Sequence, residues 1–271
     1  MSRSAVAGGG PGYALRVRAP AFLLTELIRR DLTLRYAGSV GGMAWALVNP
    51  LVLCGIYTFV FSTILKIGAP AGFHGNYTEF LLAGLLPWIG FQEAVTRGSA
   101  AVTDQAHLVK KLAFPPELLV LANLGSALVL QFAAVSFLAV YAALRPGGSL
   151  RPDLVLAGFL LELLVLAGPV LALAALQVLF RDLSQTLGPM LMIVFYLSPI
   201  LYPESSVPRG ATPFLVLNPV RDVAALFRAG LFGAPAPAAP RLALLAVVFG
   251  FVAWGGLTFF RRCRRSFSDL L

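Results

Sequence analysis

Six apolar stretches, set apart by short polar segments, constrain this chain more than any other feature; they lie at about 43–65, 79–96, 117–144, 154–180, 184–201 and 241–260. A helix rises about 1.5 Å per residue, so about 20 residues cross a hydrocarbon core of about 30 Å. The stretches are continuously apolar and do not alternate, which predicts helices rather than barrel strands. Composition agrees: the chain is 58% hydrophobic and 12% charged, against about 45–50% and about 25% in soluble domains. The expected fold is an all-α integral membrane protein with six transmembrane helices. Asn49-Pro50 predicts a kink or local break in the first span, because proline leaves a carbonyl without its helical donor.

Outside the spans the chain divides further. Residues 1–19 hold Gly, Ser and Arg but no apolar stretch with a cleavage site, so they read as a disordered lead and not as a signal peptide. Residues 20–36 place Leu24, Ile28 and Leu32 on one stripe and Glu26, Arg29 and Arg30 opposite, which predicts an amphipathic helix. It fits the membrane interface with arginines near lipid phosphates, or an ordinary helix packed on protein. Residues 202–240 are rich in proline and carry Arg209, Arg221, Asp222 and Arg228. They are too interrupted to span, and they predict two short re-entrant helices around Asn218-Pro219. Residues 261–271 form a basic tail.

One polar segment, Thr103 to Glu117 (TDQAHLVKKLAFPPE), separates the second and third spans and cannot lie in hydrocarbon. It predicts a short helix stopped by Pro115-Pro116. Lys110 and Lys111 on it either meet acidic groups of another protein or anchor the loop. If both termini are cytoplasmic, 14 of the 21 lysines and arginines fall on the inner side, as the positive-inside rule requires. The net charge of +9 then reflects cytoplasmic loops and not nucleic-acid binding. Cys54 and Cys263 are far apart in sequence, and His74 and His107 are isolated, so neither a disulfide framework nor a metal site is expected.

Three stretches carry a resemblance: Arg30 to Leu65 (RDLTLRYAGSVGGMAWALVNPLVLCGIYTFVFSTIL), Leu108 to Leu119 (LVKKLAFPPELL), and Phe180 to Pro208 followed by Leu217 to Pro219. In this order they resemble the type-2 ABC exporter permeases that move polysaccharides, namely the O-antigen, capsule and teichoic acid exporters. Gly42 and Pro116 depart from that pattern, which often has a bulkier apolar residue at the first position and a basic one at the second. The resemblance implies a half-transporter: a homodimer in the inner membrane, driven by two copies of a separate ABC ATPase. The chain has no G-x-x-x-x-G-K-[ST] phosphate loop, so ATP and Mg²⁺ are expected on that partner and no cofactor on this chain.

The resemblance also implies roles. The segment with His107, Lys110, Lys111, Phe114, Pro115 and Glu117 becomes a coupling helix. Arg29, Arg30 and Arg35 form a second motor contact, and Arg181-Asp182 a third. A glycan path needs apolar ring faces with sparse polar handles. Tyr57, Phe61, Trp88, Phe91, Phe195 and Tyr196 fit that need, or serve packing and the interface belt, to which Trp45 is assigned. Glu162, an acid inside the fourth span, is expected to pair with Arg145, Arg151 or another outer arginine, or to touch a sugar. Asn218 and Pro219 belong to an outer gate. Arg221 and Arg228, seven residues apart, share a helical face and either meet the phosphate of a lipid-linked polysaccharide or snorkel to the interface. The same fold exporting a teichoic acid precursor, lipid or drug is the nearest alternative. A proton-coupled flippase or a membrane glycosyl- or acyltransferase is further off.

Overall fold

A backbone crossing hydrocarbon must satisfy its own hydrogen bonds, and a single segment does so only as helix. In the computed structural model, which describes residues 20–35, 37, 42–70, 73, 75–111 and 115–271, the described residues form helices and no strand. In chain order these are α1 (Pro20–Arg35), α2 (Trp45–Thr58), α3 (Tyr77–Asp104), α4 (Ala106–Lys111), α5 (Glu117–Leu144), α6 (Pro152–Leu179), α7 (Leu183–Leu197), α8 (Thr212–Leu217), α9 (Pro219–Phe232), α10 (Ala239–Cys263) and α11 (Phe267–Leu270). The expected lead at 1–19, His74 and Phe114 lie outside the described residues, as does the Lys111 side chain.

Among the described residues, three helices are long and apolar enough to cross a membrane: α5, α6, and α10 with its continuation to Ser266. Two shorter apolar helices, Pro50–Ile64 and Leu183–Leu197, cover the first and fifth predicted stretches. The second stretch differs from expectation. Its helix does not stop at 96 but runs on to Asp104, 28 residues or about 42 Å. The extension is held because Arg97 turns inward to Asp31 and Asn123, and Ser99, Ala101 and Val102 are buried. The described part of the polar segment beyond α3 holds a six-residue helix, α4. The first span also differs. It passes Pro50 as unbroken helix, and its irregularity falls later, at a π-helical stretch over Phe59–Ile64. Gly42 has φ +49°, a left-handed conformation that a bulkier residue adopts only with strain, so the departure at this position has a backbone cause.

The helices pack with their ends in two groups. At one end, α1 lies against α5, with Ile28 seated on Gly125, and ion pairs from Asp31 and Arg35 tie it to Arg97 and Glu93 of α3. At the other, Asn76 and Glu79 cap the start of α3 reciprocally, at 2.8 and 2.9 Å. The same Glu79 carboxylate accepts from Arg145 at 2.7 Å and Tyr141 at 3.0 Å, joining the start of α3 to the end of α5. The core lies where α3, α5, α6 and α9 meet. Helices α6 and α10 touch through backbone: a Cβ on Gly168 would lie 2.3 Å from Val252 O, and one on Gly256 2.3 Å from Gly168 O.

Candidate functional site

The aromatic residues singled out from the sequence come from three separate segments, and the fold brings all six into one connected group. Tyr57 of α2 lies 6.1 Å, ring centre to ring centre, from both Phe61 and Phe195. Trp88 of α3 lies 5.4 Å from Phe91 and 5.3 Å from Phe195 of α7, which is in turn 5.3 Å from Tyr196. Trp88 and Phe195 are buried, Tyr57, Phe61 and Phe91 half-buried, and Tyr196 is 52% exposed. A cavity of about 290 Å³ opens beside them, lined by Tyr57, Leu85, Trp88, Gln92, Phe195 and Tyr196 among others. The wall offers ring faces, two phenol hydroxyls and one amide, a combination that stacks on apolar ring faces and hydrogen-bonds sparsely.

The end that holds α1 gathers most of the other candidates. His107 and Lys110 on α4 are exposed, as are Arg29 and Arg30 on α1 and Arg181-Asp182 between α6 and α7. Pro116 is buried at the start of α5, behind half-buried Pro115. Two expectations fail here. Glu117 does not face outward: it is buried and pairs with Arg264 at 3.4 Å and Arg261 at 3.7 Å. Arg35 turns in to pair with Glu93 and Asp31, so it neither points to lipid phosphates nor offers itself to a partner. Partial burial pushes the Asp104 carboxyl at the end of α3 above its ordinary value, against the opposing pull of Arg97.

The tail was missed as a structural element. Phe267 is buried with its ring 5.3 Å from that of Phe260, α11 packs on α4 and α6, and Leu270 O accepts from Arg181 at 3.4 Å. A phenylalanine one residue beyond the basic run, after Ser266, was the available signal, since a plain basic stop has no use for it.

At the opposite end, Asn218 and Pro219 start α9 as a capping residue and a first-turn proline. Asn218 accepts from Val220 N at 3.0 Å and donates to Ser198 Oγ at 2.8 Å. Two short helices do flank Asn218. Arg228, however, is buried and committed to backbone: it donates to Phe80 O at 3.2 Å, Pro199 O at 2.8 Å and Ile200 O at 2.9 Å, and lies 3.6 Å over the Phe80 ring. Gly84 makes room for it, since a Cβ there would stand 2.7 Å from Arg228 Nη2. A phosphate contact by Arg228 is thus replaced by a clamp between α3, α9 and the segment after α7. Arg221 pairs with Glu204 at 2.6 Å.

Glu162 has no arginine partner among the described residues. Arg145 is taken by Glu79 and Arg151 by Asp153 at 2.9 Å. Fully buried, Glu162 accepts from Gln131 Nε2 of α5 at 2.6 Å, which corrects both the ion pair and the sugar contact expected of it.

Residues 23–232 match the family model described as ABC-2 type transporter. The chain is 30% identical over 255 residues to the O-antigen export system permease protein RfbA of Myxococcus xanthus, covering 91% of this chain and 94% of that protein. It is 27% identical over 253 residues to the protein of the same name from Klebsiella pneumoniae, covering 92% and 95%.

Proposed function

Because this chain belongs to the ABC-2 type transporter family, we propose that it is the permease subunit of an ATP-driven exporter moving a lipid-linked polysaccharide such as O-antigen across the inner membrane. Two relatives named as O-antigen export permeases, aligned over nearly their whole length, support that cargo. In this reading the six apolar stretches cross the bilayer and both termini are cytoplasmic. Two copies of the chain form the pathway, and two copies of an ATPase subunit drive it. Helix α4 receives the push, with Lys110, His107, Lys111 and Phe114 at or beside it; Arg29, Arg30 and Arg181-Asp182 extend the docking face. Helices α8 and α9 form the outer gate, hinged at Asn218.

The observation that carries the pathway is the connected group of six aromatic rings beside a cavity. Ring faces bind sugars by stacking, and so let a chain of them slide without strong polar traps. The test is reconstitution in proteoliposomes, with the ATPase that co-purifies with the chain, and measurement of lipid-linked glycan reaching the far leaflet. ATP-dependent movement is expected. Transport that persists without the ATPase, or that follows a proton gradient instead, rejects the reading in favour of a proton-coupled flippase. Movement of a teichoic acid precursor, lipid or drug in place of the glycan keeps the class and changes the cargo.

A further inference from the structure

Two cavities lie between α2, α3 and α5, of about 400 and about 390 Å³. They share Pro50, Leu86 and Ala134 and so form one groove with a narrow middle. The part nearest α1 is polar, with Arg35, Glu93, Arg97 and Gln131 on its wall. The other part is walled largely by apolar side chains, including Leu82, Phe137 and Leu138. It opens sideways: Leu51 is 53% and Phe137 67% exposed, on faces assigned to hydrocarbon. A groove with a charged head and a greasy body open to the bilayer has the chemistry of a lipid site.

The charges select among lipids. Asp31, Arg35, Glu93 and Arg97 form one linked cluster of two cations and two anions. Its net charge is zero, so a multiply charged anion gains little there, whereas a zwitterion can match it sign for sign. Arg97 Nε and Gln131 Oε1 are buried and make no hydrogen bond among the described residues. One is a donor that suits a phosphate oxygen, the other an acceptor that suits an N–H. Buried groups of this kind normally find a partner. A primary ammonium has N–H groups to give to Gln131 and Glu93, and a trimethylammonium has none. Depth agrees as well. From Glu93 to Leu82 the helix rises about 16 Å, close to the half-thickness of about 15 Å that an inner-leaflet acyl chain covers.

We propose that this groove binds one phospholipid with a primary-ammonium headgroup, a phosphatidylethanolamine, its head at Glu93 and Arg97 and a tail along Leu86 and Leu82. The lipid lies between α2 and the α3–α5 pair, against the charge cluster that ties down α1. The proposal rests on the membrane-spanning reading of the chain and not on its cargo.

The experiment is native mass spectrometry of the full chain released from nanodiscs containing equal parts phosphatidylethanolamine, phosphatidylcholine, phosphatidylglycerol and a polyprenyl diphosphate. The expected result is one retained phosphatidylethanolamine per chain, at least about tenfold over each of the others, a preference of about 1.4 kcal/mol. Glu93→Gln removes the ammonium partner with little change of shape, and Ala134→Phe fills the narrow middle without touching the charges. Each is expected to lower retention about tenfold. Equal retention of the ethanolamine and choline lipids, or retention unchanged in both variants, overturns the site. Preferential retention of the polyprenyl diphosphate overturns the zwitterion and gives the groove to the cargo. Because no ATPase is present, failure here is separate from failure of the transport assay.

Discussion

Replacing Arg228 with methionine tests whether this buried cation clamps the fold or meets cargo. The side chain makes three hydrogen bonds to the carbonyls of Phe80, Pro199 and Ile200 and stacks on the Phe80 ring. Hydrogen bonds from a charged donor contribute about 1.5–3 kcal/mol each, and a desolvated cation–π contact about 2 kcal/mol. Against that stands the cost of holding a guanidinium out of water. Truncating one side of such an arrangement leaves buried carbonyls unpaired, and the net loss is about 3–5 kcal/mol. At about 2–4 °C per kcal/mol for a chain of this size, Arg228→Met should melt about 6–20 °C lower in detergent. Arg228→Lys should fall between, because one ammonium cannot serve three carbonyls in fixed directions. Thermal unfolding of the purified variants, followed beside glycan export, measures both roles at once. A methionine variant that melts within about 1 °C of wild type yet no longer exports would refute the clamp and return Arg228 to the cargo.

Three further outcomes are expected. Glu117→Lys should release the tail, seen as faster hydrogen exchange over 261–270, and weaken ATP-driven export; Glu117→Lys with Arg264→Glu should recover both, and a double variant no better than the single one argues against the pair. Glu162→Gln keeps an acceptor for Gln131 and should cost under about 1 kcal/mol, while Glu162→Ala strands Gln131 beside a void and should cost about 2–4 kcal/mol, read by chemical denaturation; equal effects would mean that the carboxylate itself is needed. Tyr196→Ala should slow export severalfold while stability changes by less than about 0.5 kcal/mol, because the ring is half in solvent, whereas Phe195→Ala should cost about 3–5 kcal/mol; export at the wild-type rate in Tyr196→Ala would remove that ring from the pathway.

The sequence carried the helices and the ring group because both rest on local chemistry. An apolar run long enough to span declares itself, and so does an aromatic residue inside one. What it did not carry was partner choice across the fold. Arg35 and Arg228 each look like a surface cation when read along their own helices. Each is instead drawn inward by groups distant in sequence: Glu93 in the first case, three carbonyls in the second. Glu162 was expected to find an arginine because acids in hydrocarbon usually do. Arg151 pairs with its near neighbour Asp153, and Arg145 is taken by Glu79 from a distant part of the sequence, a competition that a linear reading does not display. The length of α3 is hidden for the same reason, since Arg97 reads as a helix end until Asp31 and Asn123 are seen to receive it.

Partner choice also decides where the surface keeps unpaired positive charge, and so bears on the docking face proposed for the ATPase. At the α9 end the arginines are mostly answered by acids: Arg145 by Glu79, Arg151 by Asp153, Arg221 by Glu204 and Arg241 by Asp222. At the α1 end, Arg29, Arg30, Lys110, Arg181, Arg262 and Arg265 are exposed and make no ion pair among the described residues, and Glu26, Asp104 and Asp182 are exposed acids among those same residues. At the α9 end Lys66 and Arg209 are exposed and make no ion pair among the described residues, while Arg228 is buried, so exposed unpaired cations number six at the α1 end against two. A surface with that excess attracts an acidic partner, and the attraction falls with salt over a Debye length of about 10 Å at 0.1 M. Association of the ATPase should therefore weaken as salt rises from 50 to 300 mM, in proportion to the number of these cations removed. An association indifferent to salt would rule these cations out as the contact.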